Sequence, residues 1–231
     1  MNNKVVSCIA SFLFFCMASA QIEKDSLQLK LNLCFKNQPF LLNHSYSSKT
    51  DSLEISMLKF YISGLELQYK DGSSYTEQNS FHLIDASDKN TLQINLPNKN
   101  EINKVQFNIG IDSTTSVSGA LSGDLDVQNG MYWAWQSGYI NLKLEGKSNS
   151  CKTRKNAFQF HIGGYLHPYC ALRKVSINLN DNDKRKNEVS IKMDVSKLLE
   201  NINLAETNSI MIAGKEAMKI ADLSTKMFSV E

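Results

Sequence analysis

The chain has 231 residues, with 25 Lys or Arg against 23 Asp or Glu, for a formal charge of +2. A balance this near neutrality offers no electrostatic reason to bind nucleic acid or an anionic membrane surface. With 42% of its residues hydrophobic, the chain can build one sizeable core.

Met1–Ala20 reads as a secretory signal: Lys4 supplies the positive start, Val5–Met17 is apolar apart from Ser7 and Ser11, and Ala18-Ser19-Ala20 gives a small-x-small cleavage site. The run is too short for a permanent anchor, and the bulky Phe14-Phe15 before Cys16 fits a lipoprotein box poorly. Gln21–Glu231 is then expected as one periplasmic or secreted domain with no transmembrane segment.

Strand periodicity dominates the mature chain. Leu27, Leu29, Leu31, Leu33 and Phe35 alternate with polar residues, the period of a half-buried strand. Ile55–Ile62 and Leu65–Tyr69 continue that mode around Gly64, a bulge candidate, and Asp71-Gly72 marks a turn. Further strands are expected at Phe81–Ile84, Leu92–Ile94, Val105–Ile111, Tyr139–Leu144, Ala157–Ile162, Val175–Leu179 and Val189–Val195. Asn180–Asn187 reads as a charged hairpin tip. Helical spacing comes late, in Ser196–Asn201 and the longer Lys215–Ser224. The fold class is therefore mainly β: an antiparallel β-sandwich with a few short helices, the longest near the C-terminus.

Removal of the signal leaves Cys34, Cys151 and Cys170. Cys151 and Cys170 flank a strand-bearing segment and could form a disulfide in an oxidising compartment. No CxxC pair exists for a thiolate metal cluster.

The distinctive stretch is Gly110–Gly146, where a Gly, Ser and Asp-rich loop leads into Met131-Tyr132-Trp133-Ala134-Trp135. In extended backbone Trp133 and Trp135 share a face. Such a pair can pack a core, stack on a sugar or protein partner, or wall a site. In the strand Ala157–Ile162, residues Phe158, Phe160 and Ile162 form one face and leave His161 on the other. Gly163-Gly164 lets the chain bend so that His167 can return towards it. Imidazole suits copper, zinc, iron or nickel. Indole does not coordinate readily, because its nitrogen donates a hydrogen and offers no in-plane lone pair.

Three runs carry a resemblance: Gly119-Ala120-Leu121-Ser122-Gly123-Asp124-Leu125-Asp126, Asn129-Gly130-Met131-Tyr132-Trp133-Ala134-Trp135-Gln136-Ser137-Gly138-Tyr139, and Leu144-Glu145-Gly146. With Phe60-Tyr61-Ile62-Ser63, His82-Leu83-Ile84-Asp85, Phe160-His161-Ile162-Gly163-Gly164 and Gly214–Phe228, the chain resembles the MbnP-like copper-binding family over nearly its whole mature length. The resemblance implies an exported, non-enzymatic protein holding one copper for acquisition, storage or transfer. It also implies a tryptophan oxidised to kynurenine by a dihaem MauG-like cytochrome. Carried over, that residue is Trp133 or Trp135, walled by Tyr132 and Tyr139. His161 is the best-matched ligand and His82 matches by motif position, while His167 and His44 enter by proximity. In some relatives a histidine follows the modified tryptophan by two residues; here Trp135 takes the neighbouring slot, so that ligand is not carried over. A role with methanobactin is not implied. The reading from another class is a β-sandwich carbohydrate- or protein-binding module using Trp133 and Trp135.

Other patterns carry less. Asp124-x-Asp126-x-x-Asn129-Gly130 misses the spacing of an EF-hand loop, and no Gly-x-Ser-x-Gly nucleophile elbow occurs.

Overall fold

The computed structural model describes residues 26–47, 52–98, 100–135, 138–180, 184–185 and 187–230. The expected signal, Met1–Ala20, lies outside them, as do four residues of the charged tip Asn180–Asn187.

The elements run β1 (Ser26–Phe35), β2 (Gln38–Pro39), β3 (Ser45–Ser47), β4 (Ser52–Tyr69), β5 (Ser74–Thr76) and β6 (Phe81–Asp85). After β7 (Gln93–Pro97) and β8 (Ile102–Ile109) come α1 (Ser113–Val117), β9 (Ile140–Ser148), β10 (Ala157–Gly163) and β11 (Arg173–Asn178). The chain ends with β12 (Lys184–Arg185), β13 (Glu188–Asp194), α2 (Ser196–Leu199), β14 (Ser209–Ile210), α3 (Lys215–Ser224) and β15 (Phe228–Val230). Two sheets form. The smaller contains β1, β2, β7, β12, β13 and β15, and the larger is built on the order β11-β8-β4-β9-β10-β14 with β3, β5 and β6 added along β4.

The sandwich expected from the periodicity is present, with one difference in direction. β1 pairs with β13 in parallel, and β10 with β14. Alternation of apolar residues reports which face a strand buries, not which way its neighbour runs. β4 also runs unbroken through both expected strands, because Gly64 at φ +57° takes up a register shift between Ser63 and Glu66. That is the bulge its sequence context suggested.

The main core fills the space between the sheets. Leu27, Leu29 and Leu31 of β1 and Ile191 and Met193 of β13 meet Phe60, Ile62, Phe107, Leu144 and Phe160 of the larger sheet. Each fully buried side chain of this kind stabilises the fold by about 1.5–3 kcal/mol. α3 buries Ala217, Ile220 and Ala221, its apolar stripe, and packs on β10.

A second, smaller core lies on the outer face of the larger sheet. Tyr61, Ile111, Leu125, Met131, Trp133, Tyr139 and Ile140 form it, with Phe81, Leu83 and Tyr132 against its edge. The loop between β8 and β9 covers this face.

The pairing of Cys151 with Cys170 is corrected by the topology. Cys151 follows Ser148 at the end of β9 where Ala157 pairs with Lys147. Cys170 sits past the opposite end of β10, next to Ala171, whose N–H donates to the Gly164 carbonyl. The seven residues of β10, about 20 Å from first to last, separate the two ends, far beyond the roughly 7 Å that a disulfide spans between Cα atoms. They form no disulfide with each other.

Candidate functional site

The covering loop is fastened to the sheet by tyrosines. Tyr61 Oη donates to the Asp124 carbonyl at 3.0 Å, and Tyr139 Oη donates to the Leu125 carbonyl at 3.0 Å while accepting from the Leu121 N–H. Burial holds both phenols above the usual tyrosine range, with Tyr139 raising Tyr61 further. Tyr139 meets Tyr61 and Tyr132 edge-on, at ring centroid distances of 5.8 and 5.1 Å.

The loop's last segment folds back on the start of β9. The Ile140 N–H donates to the Met131 carbonyl, Tyr132 bridges Tyr139, and the Trp133 N–H donates to the Gly138 carbonyl. This short ladder aims Trp133 inward. Its indole lies over Gly163, where a Cβ would stand only 2.8 Å from Cζ3. No side chain fits there. Trp133 is 5% exposed, and its Nε1 is buried without a hydrogen-bond partner among the described residues. Trp135 is 65% exposed, and its ring stands 5.9 Å from that of Trp133 at an interplanar angle of 46°. One buried indole and one tilted, exposed indole do not make the coplanar platform that sugar stacking requires.

A pocket of about 260 Å³ opens beside Trp133, lined by Gly138, Gly164, Tyr165, Leu166, His167, Tyr169 and Ala213. Gly163 and Gly164 allow the approach: a Cβ on Gly164 would strike the Tyr169 carbonyl oxygen at 2.3 Å. The loop after β10 brings His167 to the pocket that Trp133 walls, and His161 is not among the residues lining that pocket.

His161 lies on the same outer face, two residues before Gly163, while Phe158, Phe160 and Ile162 enter the main core. The loop leaves it 7% exposed. Its Nε2 stands 2.7 Å from Glu145 Oε1. A carboxylate on one ring nitrogen fixes tautomer and orientation and leaves the other nitrogen available, as around metal-ligating histidines. Sequence reasoning passed over Glu145. The alternation of β9 gave a signal: Leu142 and Leu144 point to the core, so Lys143 and Glu145 share the face of His161.

The other two histidines lie elsewhere. His82 pairs in register with Ile62, a main-core residue, whereas its neighbours Phe81 and Leu83 point to the outer cluster with Trp133. His82 is therefore on the opposite face of the sheet, hydrogen-bonded at 2.7 Å to Glu77. His44 packs edge-on against Tyr46, which pairs with Leu53 and through it with Ser148. Ser148 ends β9 eight residues from Ile140, about 26 Å along the strand. Neither joins His161 and Trp133. Among the described residues no group of three or more His, Cys, Asp or Glu side chains converges.

The donor set fits a metal in part. It offers one carboxylate-held imidazole and, at the pocket, a second imidazole beside an indole whose buried N–H has no partner among the described residues. No helix among the described residues is long and apolar enough to cross a membrane. Among curated proteins none matches the chain. A solved structure, MbnP from Methylosinus trichosporium, superposes with a TM-score of 0.59 over 82% of each chain at 13% sequence identity, a likeness of fold. The family model for MbnP matches residues 24–212, and the chain belongs to the MbnP family.

Proposed function

We propose that the protein is an exported copper-binding protein, not an enzyme, and that it holds its cargo on the outer face of the larger sheet between Trp133, His161 and His167. The observation that carries this is that Trp133, whose buried Nε1 has no hydrogen-bond partner among the described residues, lines the pocket that His167 shares. Leaving a buried donor unsatisfied costs about 1–3 kcal/mol, and such groups in native proteins call for an explanation.

Oxidative ring opening of that indole to kynurenine would remove the orphan N–H and put an aromatic amine and a ketone in its place. Both can act as donors to a metal, which an intact indole cannot. Two imidazoles fall short of a complete first coordination sphere, and the opened ring would supply what is missing. The oxidant would be peroxide acting through a dihaem cytochrome of the MauG-like class, two equivalents supplying the oxygen while the indole C2 leaves as formate with water. Trp133, not the exposed Trp135, would be the target. Family membership supports the copper reading, and the carboxylate behind His161 suits an imidazole poised for a metal. Delivery to the periplasm or cell surface rests on the signal-like Met1–Ala20.

Protein purified from its native host should carry one copper per chain by elemental analysis, and intact mass should show one oxygen gained and one carbon lost. His161→Ala should empty it. Copper content unchanged in that variant removes the assignment.

A further inference from the structure

Four charged or titratable residues stand in one row across the outer face, on four adjacent strands. Asp85 of β6 is the register partner of Lys59 of β4, Lys59 of Lys143 of β9, and Lys143 of His161 of β10. Two lysines thus stand directly opposite each other, an arrangement that destabilises a sheet unless something compensates. Neither has escaped to solvent: their side chains are 21% and 17% exposed. Each is balanced by an acid, Lys59 by Asp85 at 2.9 Å and Lys143 by Glu145 at 3.9 Å. Each also reaches up to the loop. Lys59 Nζ donates to the Asn129 carbonyl at 3.5 Å and Lys143 Nζ to the Gly130 carbonyl at 3.2 Å. Half-buried charges are often replaceable by apolar residues without loss of stability, so this row is a poor device for stability alone and a good one for fixing position.

What it positions is explicit. Gly130, at φ +71°, ends the turn from which Met131 and Trp133 enter their ladder with β9. Glu145 Oε1 meets both Lys143 and His161. We propose that Lys59 and Lys143 are positioning residues, a paired clamp on the Asn129–Gly130 turn that sets Trp133 over Gly163 in fixed relation to His161. The clamp's relevance to copper rests on the function proposed above; its effect on Trp133 does not.

The test is made on copper-free protein in a Trp135→Phe background, where Trp133 is the one remaining tryptophan. Acrylamide quenching of its fluorescence should rise about threefold in Lys143→Met and further in Lys59→Met/Lys143→Met, because the clamped turn opens locally. Lys143→Arg, which keeps a charged donor, should stay near the parent. Far-UV circular dichroism checks the fold; should the double variant unfold, Lys59→Met is read in the same way. The same lysine variants isolated from the native host, where the indole is opened, should bind copper with affinity lower on the order of tenfold or more, as for other residues that orient ligands. Quenching unchanged in folded Met variants, or raised equally in Lys143→Arg, overturns the clamp. If quenching responds as expected while protein isolated from the native host holds no copper, the clamp stands and the copper reading falls.

Discussion

His161 and His82 are built alike and placed apart. Each is a strand histidine whose Nε2 lies 2.7 Å from a glutamate carboxylate. Neither is fully open to solvent. Yet His161 faces the loop that carries Trp133, while His82 shares the side of Ile62 and Ile84, facing away from it. A carboxylate-held imidazole is therefore not in itself a site. Strand parity decides which side of the sheet it serves, and the covering loop decides which side has a pocket.

The sharpest way to break this contrast is at the seat of the indole. Gly163→Val places a branched side chain where a single Cβ already meets the Tyr139 carbonyl at 2.6 Å and Trp133 at 2.8 Å. Overpacking of this kind costs about 1–3 kcal/mol. We expect Trp133 to be expelled, read as a red shift of its emission, and copper uptake to be lost. Normal emission in that variant would sink the account of the seat.

Next comes the exchange of histidines. His161→Ala should abolish copper binding, whereas His82→Ala should keep it and lose only about 1 kcal/mol of stability for one hydrogen bond. The reverse result, measured by metal analysis and urea unfolding, would move the centre to the other face. Glu145→Gln is milder: it keeps the shape and removes the charge behind His161, and copper affinity should fall about 10- to 100-fold. The equivalent Glu77→Gln should leave affinity untouched.

The smallest effect belongs to the tyrosines that fasten the loop. Tyr61→Phe deletes the bond to the Asp124 carbonyl and should cost about 1 kcal/mol. Its pH dependence has a definite sign. Burial raises the folded phenol above its unfolded value, which is about 10. Below that pH both states keep the proton and stability is full. Above it the unfolded chain releases a proton that the folded chain retains, so stability falls with rising pH. The urea midpoint should therefore drop between about pH 8 and pH 11, and less steeply in Tyr61→Phe. Equal slopes in the two proteins would show that Tyr61 does not carry this dependence.

Much of the frame was legible because burial imprints alternation. Leu27 to Phe35, Val105 to Ile109 and Val189 to Met193 announced their strands, and the sides of Phe160 and His161 could be told apart. The turn at Asp71-Gly72, the bulge at Gly64 and the helix Lys215–Ser224 were readable from local chemistry as well. Glu145 was passed over because its role depends on register with β10, which is set by pairing between segments, not within one. His82 enters by its motif, and only the identity of the covered face separates it from His161 and Trp133.

The order of residues by itself determined a β-rich, nearly neutral chain with two neighbouring indoles and a histidine set against the apolar side of its strand. These are consequences of side-chain hydrophobicity and a backbone period of two. Tertiary structure decided that β1 runs parallel to β13, that Cys151 and Cys170 lie too far apart to join, and that Trp133 is buried over Gly163 while Trp135 is exposed. The reason is physical: periodicity is a property of one strand, but distance, direction and cover belong to pairs of segments, fixed only when the sheets close on a common core.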